Sequence, residues 1–373
     1  MKLFLTWAVL GFALVSCGPG TPVPSDKLAP VGPERVVEPV QSAVPVASTT
    51  VVPTAINSAM PPTPAASASA SASTSAGEPS PPSSSGPPFP PASFAPPHQR
   101  SAKPGDGVYA LLEEGAAAGT NAVARTIVHP HPYKKDPVVV VLAVDLRRVD
   151  LVLAAGTEEP VSKTVPVERR PGLVPKEDLS SLIAVFNGGF QTKHGQWGAR
   201  INGDDFVTPR EDACSVAFID DGSLRIATHR TLVPQASRLR SYRQTPPCLV
   251  EGGKPDTRLI NEDTARLWGA AIGGKREIRR TALGLDASRQ TLYFGIGEWI
   301  WARDLALAMQ AAGAVDVAEL DINWSYTRFL LYDRSSPPNV VSTLIDKVEY
   351  TKDGYISKPA PRDFFYLRRK SRP

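Results

Sequence analysis

The residues best placed to do chemistry are polar side chains at the ends of short apolar runs. Asp321 comes directly after one such run, which ends in Leu320. A carboxylate in this position is commonly presented in a cleft, because the strand before it is rigid and the loop after it is open. The same position also suits an aspartate that only caps a turn, and spacing alone does not decide between the two.

A second candidate group follows the apolar run 179–186. Asn187-Gly188-Gly189 contains paired glycines, which leave no side chain between the main chain and an approaching ligand. Asn-Gly is also a common hairpin turn. Binding is favoured by the long irregular segment that comes next, because it contains three residues of ligand-binding type: His194, Trp197 and Arg200.

Glu251 is a third candidate, in less distinctive surroundings. It stands between the apolar pair Leu249-Val250 and the glycine pair Gly252-Gly253. This pattern fits either a second carboxylate of the same site or a plain turn.

Metal sites are not indicated by the spacing of possible ligands. His129 and His131 each precede a proline, which favours extended backbone, and no cluster with zinc-like spacing accompanies them. Oxygen ligands at Asp321, Asn323 and Ser325 suit calcium, but the glycine and glutamate expected further along such a loop are missing. We therefore expect no metal and no cofactor.

The elements that must position these residues are mostly strands. The runs 281–285 and 291–297, divided by the turn 286–289, predict a hairpin. Apolar residues at helical spacing predict a helix over 303–312, ended by Gly313, and a short helix is compatible with the patch after Gly107. Other β-branched or apolar runs predict strands at 137–146, 149–154, 179–186, 215–219, 223–226, 329–332, 340–345 and 364–367. We expect an α+β fold, with a mixed, mostly antiparallel β-sheet core and a few packed helices in a single domain.

Composition divides the 373 residues into three parts. Residues 1–16 contain a short apolar stretch that is typical of a secretory signal and too short to span a membrane. Residues 17–105 are rich in Pro, Ala and Ser, which predicts a disordered spacer. Residues 106–373 are predicted to form the folded domain.

The signal ends in Leu14-Val-Ser-Cys17, which resembles the lipobox of bacterial lipoproteins. The resemblance implies cleavage before Cys17 and lipidation of that cysteine, and Gly18 after it resembles lipoproteins sent to the outer membrane. We expect a location in the cell envelope, lipid-anchored at the outer membrane or the periplasmic face. The alternative is an ordinary cleaved signal with an incidental cysteine.

The remaining cysteines and the net charge narrow the class of protein further. Cys214 and Cys248 form an even remainder, which permits one disulfide in an exported protein, while the alternative is two small buried hydrophobic residues. The net charge of +4 is too small to indicate a nucleic-acid partner.

Six short segments occur in an order that resembles one known family: AVFNGGF (184–190), QTPPCLVEGGK (244–254), RRTALGLD (279–286), LALAMQAAGA (305–314), AELD (318–321) and DFFYL (363–367). From about residue 107 onward the chain resembles the phosphodiester glycosidase domain family, named for an enzyme that removes N-acetylglucosamine from a sugar phosphodiester. One departure stands out. Where the family reads Leu-Asp-Gly-Gly-Gly-Ser, this chain reads Leu320-Asp321-Ile322-Asn323-Trp324-Ser325, and we expect the bulkier side chains to narrow or reshape the pocket.

The resemblance implies hydrolysis at an anomeric carbon that is bonded to phosphate. Arg280 is expected to hold the phosphate through its forked guanidinium, although it also fits a structural ion pair. Asp321 is expected to act as nucleophile, base or cation-stabilising carboxylate, with Glu251 as a second carboxylate. The expected substrate-binding residues are Asn187, Gly188, Gly189, Arg200, Ser325 and Trp324.

The sequence thus predicts an exported, lipid-anchored hydrolase that cleaves sugar phosphodiesters or related envelope glycans. Its expected partners are such a glycan and the membrane. The alternative is a catalytically altered member of the same fold, which binds envelope carbohydrate or serves as a surface scaffold.

Overall fold

A computed structural model describes residues 86–271 and 273–370. The predicted signal, the predicted lipidation site Cys17 and most of the predicted spacer lie outside these residues. Composition assigns 86–105 to the spacer, but Phe89 and Phe94 pack against a buried apolar core, and the amide of Phe94 donates to the carbonyl of Gly107. Packing therefore begins before residue 106.

The described residues are organised mainly as β-strands. These are β1 (Ala110–Leu111), β2 (Val123–Val128), β3 (Val138–Asp145), β4 (Val149–Ala154), β5 (Leu182–Asn187), β6 (Ala199–Ile201), β7 (Asp204–Val207), β8 (Cys214–Ile219), β9 (Leu224–Thr228), β10 (Leu239–Thr245), β11 (Val250–Glu251), β12 (Lys254–Pro255), β13 (Ile278–Leu285), β14 (Thr291–Ile300), β15 (Asp316–Glu319), β16 (Phe329–Tyr332), β17 (Val340–Thr343) and β18 (Phe364–Arg369). The α-helices are α1 (His229–Leu232) and α2 (Ala302–Ala311). Short 3-10 helices cover Gly115–Ala117, Val167–Arg169, Lys176–Ser181, Val233–Arg238, Thr257–Leu259 and Thr264–Trp268.

The strands form three sheets. The first has eight strands in the order β1-β2-β3-β14-β13-β15-β11-β12. The second and third have five each, in the orders β7-β6-β10-β8-β9 and β17-β16-β5-β18-β4. Every pairing described between these strands is antiparallel.

The largest apolar core contains side chains from all three sheets, including the contacting rings of Phe186, Phe294, Phe329 and Phe365. β3 is covered on both faces, because Val140 and Leu142 belong to this core while Val139 and Val141 belong to a second core. Alternate residues of a strand point to opposite faces, so a strand covered on both faces has an uninterrupted apolar run. The run 138–144 has this composition.

Helix α2 covers the second face of the eight-stranded sheet. Leu305 and Met309 are buried in the second core, next to β14. A Cβ at Gly295 would lie 2.5 Å from the Sδ of Met309, so glycine in β14 allows the helix to pack closely.

Among the described helices, none has the length and apolar composition needed to cross a bilayer.

The antiparallel β core with few helices agrees with the expected fold class, and the described residues form three sheets. The predicted hairpin is β13–β14, and the helix predicted over 303–312 is α2. Two local predictions are wrong. The patch after Gly107 forms β1 and a 3-10 turn instead of a helix, and the run 179–186 begins in the 3-10 helix Lys176–Ser181 before β5 starts.

Candidate functional site

A cavity of about 970 Å³ contains Asp321 in its wall. Five segments supply most of this wall: the loop after β5 around 190–197, the residues 266–271, the residues 275–279, the end of β14, and the loop after β15. We call it the Asp321 cavity. It brings together residues that are far apart in the chain, as a binding site on a rigid scaffold requires.

Asp321 is buried and held by two hydrogen bonds. Its Oδ2 accepts from Nη1 of Arg362 at 2.5 Å, and its Oδ1 accepts from the amide of Asn323 at 3.0 Å. Burial raises the pKa of Asp321 above its ordinary value, while the charge of Arg362 and the Asn323 amide act in the opposite direction. The carboxylate is therefore fixed in orientation and is sensitive to the groups around it.

The expected role of the glycine amides is corrected by the structure, because Asp363 already occupies both of them. The amide of Gly188 donates to the carbonyl of Asp363 at 3.0 Å, and that of Gly189 donates to its Oδ2 at 2.9 Å. Nε of Arg243 donates to the same Oδ2 at 2.9 Å. The glycines serve close packing instead, since a Cβ at Gly188 would lie 2.1 Å from Oδ2 of Asp363.

Asn187 is also fully buried and is not part of the cavity wall. Its Nδ2 donates to Oγ1 of Thr281 at 2.9 Å, and its Oδ1 accepts from the amide of Arg328 at 3.1 Å. Both ends of the side chain are therefore occupied within the protein, which corrects the expectation that Asn187 binds sugar. It joins β5 to β13 and to the segment before β16.

Arg280 is buried and bonded to other groups of the protein, which contradicts its expected role in phosphate binding. Its guanidinium contacts Glu319 at 2.6 Å and donates to the carbonyls of Trp268, Gly269, Arg276 and Ile300. Its side chain is 1% exposed. Burial raises the pKa of Glu319 to about 7, and Arg280 acts against this rise. The structural ion pair is the interpretation that the geometry supports.

Arg279, the neighbour of Arg280, lies in the cavity wall. Its guanidinium lies 4.8 Å from the ring centre of Trp324, and its Nε donates to Glu298 at 2.9 Å. Trp324 is 45% exposed and also lines the cavity, as expected for a residue that offers an apolar face to a sugar ring.

The cavity wall has an excess of positive charge. It contains four cationic side chains, Lys193, Arg266, Lys275 and Arg279, and two carboxylates, Glu298 and Asp321. Within the described part of the chain, Lys193 and Lys275 form no ion pair. Such a wall favours a negatively charged ligand.

Three further candidates lie away from the Asp321 cavity. Glu251 accepts from the amide and hydroxyl of Thr228, at 2.9 and 2.6 Å, beside a separate cavity of about 310 Å³. Arg200 pairs with Asp205 at 2.6 Å, and the hydroxyl of Ser325 donates to Asn323 at 3.0 Å. None of the three lines the Asp321 cavity. The expected roles of Glu251 as second carboxylate and of Arg200 and Ser325 in substrate binding are therefore not supported by position.

The bulky residues after Asp321 line the cavity without closing it. Ile322, Asn323 and Trp324 all line it. Gly269 has a positive φ of 74°, and a Cβ there would lie 2.6 Å from Cδ1 of Ile322. A glycine in the facing loop thus accommodates the isoleucine.

A disulfide joins Cys214 to Cys248. It connects β8 to the segment that leads into β11, next to Pro246 in the cavity wall and Pro247, whose carbonyl accepts from Nε1 of Trp268 at 2.8 Å. Within 86–271 and 273–370, no group of three or more His, Cys, Asp or Glu side chains is arranged to hold a metal ion.

Three residues that the sequence did not single out complete the surroundings of Asp321: Arg362, Asp363 and Arg243. Arg362 and Asp363 come directly before β18, and two adjacent charged residues before the apolar run of the segment DFFYL were the available signal. Nothing in the sequence around Arg243, in the middle of β10, marks it.

Comparisons with known proteins show only distant likenesses. No family model and no curated protein sequence matches. The catalytic domain of zebrafish N-acetylglucosamine-1-phosphodiester alpha-N-acetylglucosaminidase, auto-inhibited by its pro-peptide, is 15% identical, with 63% of this chain and 78% of that chain covered and a TM-score of 0.38. A hypothetical protein from Synechocystis is 9% identical, with 67% and 62% covered and a TM-score of 0.41. A protein from Burkholderia pseudomallei described as exported is 11% identical, with 62% and 74% covered and a TM-score of 0.35.

Proposed function

We propose that the Asp321 cavity binds a negatively charged sugar compound and that Asp321 acts at its anomeric carbon, so that a sugar phosphodiester is hydrolysed. One observation carries this proposal. A buried carboxylate lies in the wall of a cavity that combines the half-exposed ring of Trp324 with an excess of cationic side chains.

The cavity supplies complementary surfaces for the two parts of such a substrate. The ring of Trp324 offers an apolar face to the sugar. Lys193 offers charge to the phosphate. Arg279 is buried and bonded to Glu298, and its guanidinium contacts the ring of Trp324.

Asp321 is the group that would meet the reacting carbon. Arg362 and the amide of Asn323 favour its ionised form and fix its orientation. An ionised carboxylate stabilises positive charge that develops at an anomeric carbon, or attacks that carbon. Because the phosphate leaving group is a weak base, the reaction needs no strong general acid.

The test measures the release of free sugar from a sugar 1-phosphate diester, in both anomeric forms, by the purified full chain. Asp321→Asn is expected to lower kcat/KM at least about 100-fold. Asp316→Asn is the matched control, because Asp316 also accepts a backbone amide, from Gly252 at 2.8 Å, but lies outside the cavity. Hydrolysis that survives in Asp321→Asn, or is missing in the wild type, contradicts the proposal.

A second candidate function is sugar binding without hydrolysis. The pairing of Asp321 with Arg362 and the bulky side chains that follow Asp321 favour it, since both restrict access to the carboxylate. Calorimetry with the same diesters separates the two functions. Binding without any sugar release supports the second.

We also propose that the protein is exported and anchored to the cell envelope by lipid at Cys17. The lipobox-like segment supports this proposal.

A further inference from the structure

We infer that Trp299 and Lys275 form a second sugar-binding subsite in the wall of the Asp321 cavity, so that its ligand is a negatively charged glycan chain of at least two sugar units. This inference rests on the proposed function, because both use the same cavity.

Trp299 belongs to a β-bulge. In the pairing of β13 with β14, Ile278 lies opposite Ile300 and Arg280 lies opposite Gly297. One residue of β13 between these pairs, Arg279, therefore faces two residues of β14. Bulges of this kind redirect a side chain, and they are frequent next to active sites.

The backbone of Trp299 is in the left-handed region, with a φ of 56°. Bulky residues seldom adopt this conformation, and glycine is the residue usually favoured at a left-handed bulge position. Internal packing does not account for tryptophan here, because Trp299 is 57% exposed. A contact with a ligand accounts for both the residue type and the exposure.

The surroundings of the ring define the kind of ligand. Trp299 lines the same cavity as Asp321, and Nζ of Lys275 lies 4.2 Å from its ring centre. A tryptophan face suits a sugar ring, and a lysine that forms no ion pair within the described residues suits a negative charge on that sugar or on its linkage. The volume of about 970 Å³ is near the upper end of the roughly 300–1,000 Å³ typical of ligand sites, which leaves room beyond the unit at Asp321.

The experiment measures Kd by calorimetry, in a full-length protein with Asp321→Asn to prevent turnover. One probe series contains phosphodiester-linked oligomers of N-acetylglucosamine 1-phosphate with one, two or three units. The other contains galacturonic acid oligomers of the same lengths. We expect Kd to fall about tenfold from one to two units in at least one series. The series that shows this gain identifies the charge as phosphate or carboxylate.

Adding Trp299→Gly or Trp299→Asn is expected to abolish the gain with length and to leave the Kd of the single unit within about twofold. Both replacements tolerate a positive φ, so Tm should stay the same or rise. Tyr133→Asn is the matched control. Tyr133 is 70% exposed with Arg100 5.5 Å from its ring centre, but it lies outside the cavity, so this change should leave every Kd unaltered.

A Kd that does not fall with length in either series, or a gain that survives both Trp299 variants, would overturn the subsite. A loss of more than about 5 °C in Tm in both variants would show that the ring supports the fold, and would overturn it too. Length-dependent binding by a wild type that releases no sugar would refute only the proposed hydrolysis.

Discussion

Asp321 experiences opposing influences on its ionisation, and Arg362 is the strongest of those that favour the charged form. Burial raises the pKa of Asp321, and the guanidinium 2.5 Å from Oδ2 counteracts this rise. If the ionised carboxylate does the chemistry, activity is lost as pH falls through this pKa. Removal of the positive charge raises the pKa further, so activity is then lost at a higher pH.

Arg362→Gln is therefore expected to shift the acid limb of the kcat/KM profile to higher pH. Arg328→Gln is the control, because Arg328 contacts the ring of Tyr326 as Arg362 does, at 4.8 and 4.5 Å, but does not contact Asp321. An acid limb that stays in place in Arg362→Gln would show that Arg362 does not control Asp321.

The adjacent arginines Arg279 and Arg280 show a limit of prediction from sequence, because the sequence does not say which of them lies in the cavity wall. Neighbouring residues of a strand point to opposite faces, so at most one of Arg279 and Arg280 belongs to the cavity. Composition does not say which of the two arginines it is. The answer depends on which face of the eight-stranded sheet is covered by α2 and on the bulge opposite Arg279. Asp321 and Trp324 follow β15 and line the cavity, whereas Asn187 and Glu251, which also stand at strand ends, do not line it.

At the scale of elements, the turn after β5 is fitted closely to the start of β18. A Cβ at Gly188 would lie 2.1 Å from Oδ2 of Asp363 and 2.5 Å from its carbonyl oxygen. Gly188→Ala must therefore displace the main chain, and we expect it to lower the free energy of unfolding by about 2–4 kcal/mol in urea titrations.

Gly222→Ala is the control for this measurement. Gly222 has a φ of 81°, and a Cβ added there would have no atom within 4 Å. Only the strained backbone conformation should therefore lower the free energy of unfolding, by on the order of 1 kcal/mol. Equal losses in the two variants would mean that the contact with Asp363 is not a tight one.

The strands were easier to predict than the sheets they form. Runs such as 149–154 and 364–367 have local composition typical of strands, and both are strands in the structure. The pairing of these two runs depends on contacts between residues far apart in the chain, which no local pattern records. The two-residue strands β11 and β12 are too short to produce a pattern.

At the scale of the whole molecule, the disulfide connects two sheets. Cys214 lies in a five-stranded sheet, and Cys248 precedes β11 of the eight-stranded sheet, 34 residues further on. Reduction is expected to lower the free energy of unfolding by about 2–4 kcal/mol, because the unfolded chain regains the freedom of that loop.

Denaturant titrations with and without reductant measure this loss. A Cys214→Ala, Cys248→Ala double variant should have the same stability in both conditions. A wild type that is equally stable with and without reductant would contradict the prediction.

The proposed anchor is tested on whole cells. The wild type is expected to sediment with membranes after an alkaline wash, and Cys17→Ser is expected to remain in the supernatant, because acyl chains provide the attachment. Equal distribution of the two proteins would contradict lipidation at Cys17.

The position of β18 determines when one of the three sheets can be completed. This strand pairs with β4 on one side and β5 on the other, so its sheet is incomplete until the ribosome has added Arg369. Pairing across such sequence separations is slow, because the entropy cost of closing a long loop must be met before any stabilising contact forms. This sheet is therefore expected to form only at the end of synthesis. For a protein that we propose is exported, this delay is useful, since a translocation channel admits an unfolded chain and folding is completed on the far side.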